Sequence, residues 1–158
     1  MTFAIKHSRC WWMAAAVAIW ALAGPFAPRA AAREATIEEL KARVANASIA
    51  ERPSLCIQIS ERRLDEADRL YVAGDSEHAQ TTLVDVTAFA ELARDYAIQS
   101  HKHEKQSEIA IRKMARKLTN LKHAVAHEDQ EKIQVVIDRL QRIRDDLLAA
   151  MFPNGVKK

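Results

Sequence analysis

SEHAQTTLVDVTAFAELARDYA, residues 76–97, decides the fold. Within it Ala79, Leu83, Val86, Ala90, Ala93 and Ala97 recur at alternating spacings of four and three. That period gathers them on one side of an α-helix and scatters them across both faces of a strand. With this many alanines the seam is narrow, so a neighbouring helix can approach closely. Phe89 and Tyr96 flank it.

The same period continues on both sides. Upstream, Asp75 is an N-cap for this helix, with Glu77 in its positive first turn. Gly74 is the left-handed end of a preceding helix that begins near Pro53. A shorter, weakly amphipathic helix is expected from Thr36 to Ala47. Downstream, apolar residues vanish over SHKHEKQ, residues 100–106, where the helix either ends or crosses solvent. Ile111, Met114, Leu118, Leu121 and Val125 then resume the three–four spacing. AHED, residues 126–129, reads as a turn with Asp129 as the next cap. Ile133, Val136, Leu140, Ile143, Leu147 and Ala150 form the last seam, and Pro153-Asn154-Gly155 stops it.

Between Arg33 and Phe152 the only Pro or Gly residues are Pro53 and Gly74. A stretch that long, rich in Ala, Leu, Glu, Lys and Arg, has no strand signal. The fold class is therefore all-α: a small helical bundle of four core helices as two hairpins, plus a short N-terminal helix. A shift of 54 residues lays Leu64 on Leu118, Asp75 on Asp129, Gln80 on Gln134 and Leu83 on Ile137. Each hairpin alone would leave its apolar stripe in water, so the two are expected to close on each other.

The first 32 residues have a different character. Lys6, His7 and Arg9 precede a 13-residue apolar run, Trp11 to Ala23, too short to span a bilayer comfortably. Gly24 and Pro25 break it, and Ala30-Ala31-Ala32 offers the small side chains that signal peptidase accepts. The expected organisation is a cleavable Sec signal at 1–32, a helical-bundle domain at 33–152 and a short tail at 153–158. Cleavage after Ala23 and retention as an anchor are the alternatives. Cys10 precedes the apolar run, which argues against a lipoprotein anchor. The expected location is periplasmic or extracellular.

Without the leader the electrostatics change. The chain has 24 basic and 21 acidic residues, but Lys6, Arg9 and Arg29 lie in the leader and no acid precedes Glu34. From Arg33 onward the charges balance at 21 of each. Nucleic-acid binding loses its support, since it needs a positive excess. Contact with the membrane is expected only through an uncleaved leader. Residues 61–95 hold nine acids and four bases, while residues 102–122 hold seven bases and two acids. These opposite surpluses favour pairing within one molecule, each exposed pair contributing only tenths of a kcal/mol.

Candidate chemistry is sparse. His123 and His127 stand four apart, which on a continuous helix brings two imidazoles within about 6 Å, the start of a Zn, Cu or Ni site. Glu128 and Asp129 follow them. At a helix C-terminus the same pair is simply well placed against the negative dipole end. His101 and His103, two apart, could share a metal only in a loop, and His78 stands alone. Cys56 is the one cysteine after the leader, so no internal disulfide can form; it reads as a small buried apolar residue. No Gly-rich phosphate loop, no CxxCH and no catalytic or cofactor motif is present. The sequence therefore points to a non-enzymatic exported protein that binds another protein or itself, or serves as a structural module. A metal-binding bundle using His123 and His127 is the alternative.

Overall fold

The structure, a computed structural model, describes residues 35–153. The leader expected at 1–32, with both cleavage positions, and the tail from residue 154 lie outside the described residues. Five helices are present: α1 (Ile37–Asn46), α2 (Arg52–Val72), α3 (Ser76–Ser100), α4 (Glu104–Ala124) and α5 (His127–Met151). No strand occurs among the described residues, and no helix is long and apolar enough to cross a membrane.

Local chemistry accounts for most of the boundaries. At the start of α1 the Thr36 hydroxyl accepts from the Glu39 N–H at 3.2 Å, and the Glu39 carboxylate accepts from the Thr36 N–H at 2.7 Å. This reciprocal box satisfies two N–H groups that the first helical turn would otherwise leave unpaired. Pro53 sits in the first turn of α2, where its missing N–H costs nothing. The end of α2 is a Schellman turn. Gly74, at φ +80°, donates to Tyr71 O, and Asp75 N–H donates to Leu70 O. Asp75 then caps α3 through the N–H of His78.

The polar stretch 100–106 is a true break. His101 and His103 both take left-handed backbone angles, φ 54° and 61°, and the chain reverses within three residues. The turn into α5 differs from the reading of Asp129 as a cap. The extended pair Val125–Ala126 makes the turn, α5 begins three residues early at His127, and its N-terminus has no side-chain cap.

Helices α2 and α3 pack along each other, as do α4 and α5. α3 also lies against α5 and α4, α2 touches α4, and α1 rests mainly on α2, with Lys41 reaching over the Phe89 ring of α3. The alanine seam of α3 is fully buried, with Thr82 and Thr87 beside it. On α5 the seam is Ile133, Ile137, Leu140, Ile143 and Leu147. Val136 is only half-buried, its place on the core line taken by Ile137, and Ala150 in the last turn is exposed. One buried hydroxyl links three helices: Ser60 on α2 donates to Val86 O on α3 at 2.7 Å and lies 3.4 Å from the Met114 sulfur on α4. Satisfied in this way, it costs the core little.

The expected pairing of acidic and basic segments holds at one residue only. Lys117 reaches Asp65 at 2.7 Å and Asp68 at 3.1 Å. The other acids of α2 and α3 turn elsewhere: Asp85 to Arg63, Glu91 to Arg139 of α5. The helices are rotated so that most cations of α4 face solvent.

Candidate functional site

The residues singled out for chemistry are not gathered into one place. His123 closes α4 and His127 opens α5, both exposed, with the extended Val125–Ala126 pair between them. They therefore do not share one continuous helix face. His101 and His103 are exposed in the α3–α4 turn. His78 is held by its own cap: its Nδ1 lies 2.8 Å from the Asp75 carboxylate. That contact pushes the imidazole up and the carboxyl down from their usual ranges. Among the described residues no three of His, Cys, Asp and Glu converge as a metal centre requires. Cys56 is fully buried, and burial pushes its thiol up to about 11, partly offset by the charge of Arg52. A thiol so placed is protonated at neutral pH and shielded from reagents.

A groove between α3 and α5 has a mainly apolar lining. It encloses about 350 Å³. From α3 come Gln80, Leu83, Val84 and Thr87, and from α5 Lys132, Val135, Val136 and Arg139. Helical geometry explains the set, since three–four steps line one edge of each helix. Leu83 and Thr87 are buried and form the floor, while Val84 is 65% and Val135 59% exposed. The Thr87 hydroxyl is satisfied within its own helix, donating to Val84 O at 2.9 Å. Val84 and Val135 thus place two exposed apolar side chains on the walls of one groove.

The rim is charged and mostly braced. Arg139 is held by Glu91 at 2.5 Å. Gln80 Nε2 donates to Asp129 Oδ1 at 2.7 Å, and Ser76 Oγ donates to Oδ2 at 2.8 Å. Asp129 is 4% exposed, so this carboxylate is an internal bracket between α3 and α5. Lys132 stands 3.8 Å from it. Next to the bracket, the Tyr71 hydroxyl is buried without a partner; burial and then the Asp129 charge push the phenol up to about 12. The groove continues past Val135 and Arg139 toward Arg94 and Asp146, which pair at 2.8 Å.

This arrangement supplies apolar contact between fixed polar edges. Sequence reasoning missed it, although one signal was present: Val84 and Val135 are apolar residues one step outside the seams of their helices. No family model matches the chain, and neither the curated proteins nor the solved structures compared with it give a match.

Proposed function

We propose that this chain is an exported, non-enzymatic protein of the cell envelope, built as two helical hairpins with α1 across α2. It acts as a protein-interaction or structural module, taking an amphipathic helix of a protein partner, or of a second copy, into the α3–α5 groove. Neither nucleic acid nor a cofactor enters this reading.

The observation that carries it is the exposed Val84–Val135 pair over the Leu83 floor. A groove between two parallel-lying helices is the shape into which an amphipathic helix lays its apolar edge, with anchors three and four residues apart. Lys132, exposed at the rim, suits a carboxylate flanking those anchors. The preformed bracket at Asp129 holds the two walls, so little ordering entropy is lost on docking.

The test places a photo-crosslinking amino acid at position 135 in the producing cell and also measures sedimentation of the purified chain. The expected result is a discrete adduct, or a dimer at micromolar concentration, that disappears with Val84→Glu. Monomeric behaviour with no adduct would overturn the reading. So would an adduct indifferent to Val84→Glu.

A further inference from the structure

The solvent side of α4 carries cations that the fold leaves unpaired or only weakly paired. Lys105, Arg112 and Arg116 follow one another at steps of seven and four, a single line along the helix. All three are exposed, on the side opposite the buried Ile111, Met114 and Leu118. Along the axis the line is about 17 Å long. Lys102, just before the helix, and Lys113, beside the line, are exposed too.

No carboxylate among the described residues comes within 4.0 Å of Lys105, Lys113 or Arg116. Arg112 has Glu108 at 3.7 Å, but that carboxylate is already engaged by Arg144 at 2.7 Å. Lys117 shows what a neutralised cation looks like in the same helix, clamped by Asp65 and Asp68.

We propose that this ridge docks on anionic lipid headgroups, so that the folded domain, and not only the leader, meets a membrane surface. Three observations favour that occupant. The cations stand in one line along the outer side of a helix, whose cylinder meets a flat surface more fully than a compact ligand. None of the exposed large hydrophobic residues lies on α4. A protein partner there would find only rim-type ion pairs and no apolar centre, whereas a lipid surface supplies many mobile anions at once. In a nucleic-acid groove, phosphates would flank the helix on both sides, and on the α2 side stand Glu61 and Asp65, both exposed.

Each cation brought to an anionic surface strengthens partition by about fivefold, so three contribute about a hundredfold. The attraction fades as the screening length falls from about 10 Å at 0.1 M salt to about 4 Å at 0.5 M.

The test is co-sedimentation of the full-length chain with vesicles of phosphatidylcholine containing phosphatidylglycerol, against phosphatidylcholine alone. Lys105→Glu/Arg112→Glu/Arg116→Glu is compared with Lys41→Glu/Arg43→Glu/Arg69→Glu, which changes net charge equally on α1 and α2. The leader is common to all three proteins, and circular dichroism confirms that each is folded. The expected result is salt-sensitive binding to the anionic vesicles, reduced by at least about tenfold by the ridge variant and little by the other. Equal loss with both variants would show that net charge alone governs binding, and no loss with the ridge variant would remove α4 from it; either overturns the proposal. Duplex DNA or polyglutamate displacing the chain from the vesicles through the same three residues, and binding it more tightly than they do, would overturn lipid as the occupant.

Discussion

Helices α2 and α3 and helices α4 and α5 share a pattern repeated 54 residues apart, yet the two pairs are held by different means. On α3 the core line includes Ala79, Ala90, Ala93 and Ala97. At the matching places α5 carries Ile133 for Ala79, Leu140 for Val86 and Leu147 for Ala93. One pair gains contact by letting backbones approach, the other by interdigitating bulky side chains. Their turns differ in the same spirit. Asp75 caps its own helix, whereas Asp129, its counterpart, is drawn inside to bracket α3 against α5. The aspartate ahead of α3 thus serves local order, while the one in the first turn of α5 serves tertiary order.

The sharpest way to break this comparison is to exchange size between the seams. Leu140→Ala is expected to lose about 2–5 kcal/mol in urea unfolding followed by circular dichroism, because the fully buried side chain leaves a cavity. Ala93→Leu should lose about 1–3 kcal/mol by the opposite route, overpacking a position with no exposed surface. A loss below about 0.5 kcal/mol in both would mean that the seams are not the packed surfaces described.

The two aspartates give the next contrast. Asp129→Ala leaves the Ser76 hydroxyl and the Gln80 amide without their acceptor, an expected loss of about 1–3 kcal/mol. Asp75→Ala exposes its lost bond to water, and its effect on the melting temperature should be distinctly smaller. The reverse order would show that capping, not bracketing, dominates the fold.

Gly74→Ala isolates the turn between α2 and α3. A Cβ there would meet nothing within 4 Å, so the expected loss of about 1–2 kcal/mol is purely that of a left-handed backbone at φ +80°.

The smallest effect concerns Asp75 and His78. The carboxyl is lowered in the folded chain, so its contribution is present above about pH 4 and lost as pH falls through the lowered value. The imidazole is raised, so its contribution is present below about pH 6.5 and lost as pH rises through the raised value. The drop in melting temperature caused by His78→Ala should therefore be greater at pH 5 than at pH 8.5, and a pH-independent drop would dissolve the pair.

What could be read in the sequence follows the same division between local and tertiary causes. Thr36, Pro53, Gly74 and Asp75 act on backbone groups within four residues of themselves, so the helix boundaries they set were legible. Asp129 was misread because its partners, Ser76 and Gln80, arrive only when α3 comes to lie beside α5. The core line of α5 was placed one residue off at Val136 for the same reason, since the helix's own period does not fix its rotation against a neighbour. The charge surpluses were counted correctly, but a count carries no direction: a turn of α4 about its axis sends Lys117 to α2 and Arg116 to water. The groove needed two helices and was visible only as two valines out of phase.

The burial of Cys56 gives the molecule a built-in clock. With no accessible surface and a reluctant thiol, it can meet a thiol reagent only when α2 parts from its neighbours. The rate of labelling in native buffer then reports the frequency of that opening, with no engineered probe. Cys10, the chain's other cysteine, lies in the leader proposed at residues 1–32, so the number of thiols titrated per molecule would also tell a processed chain from an unprocessed one.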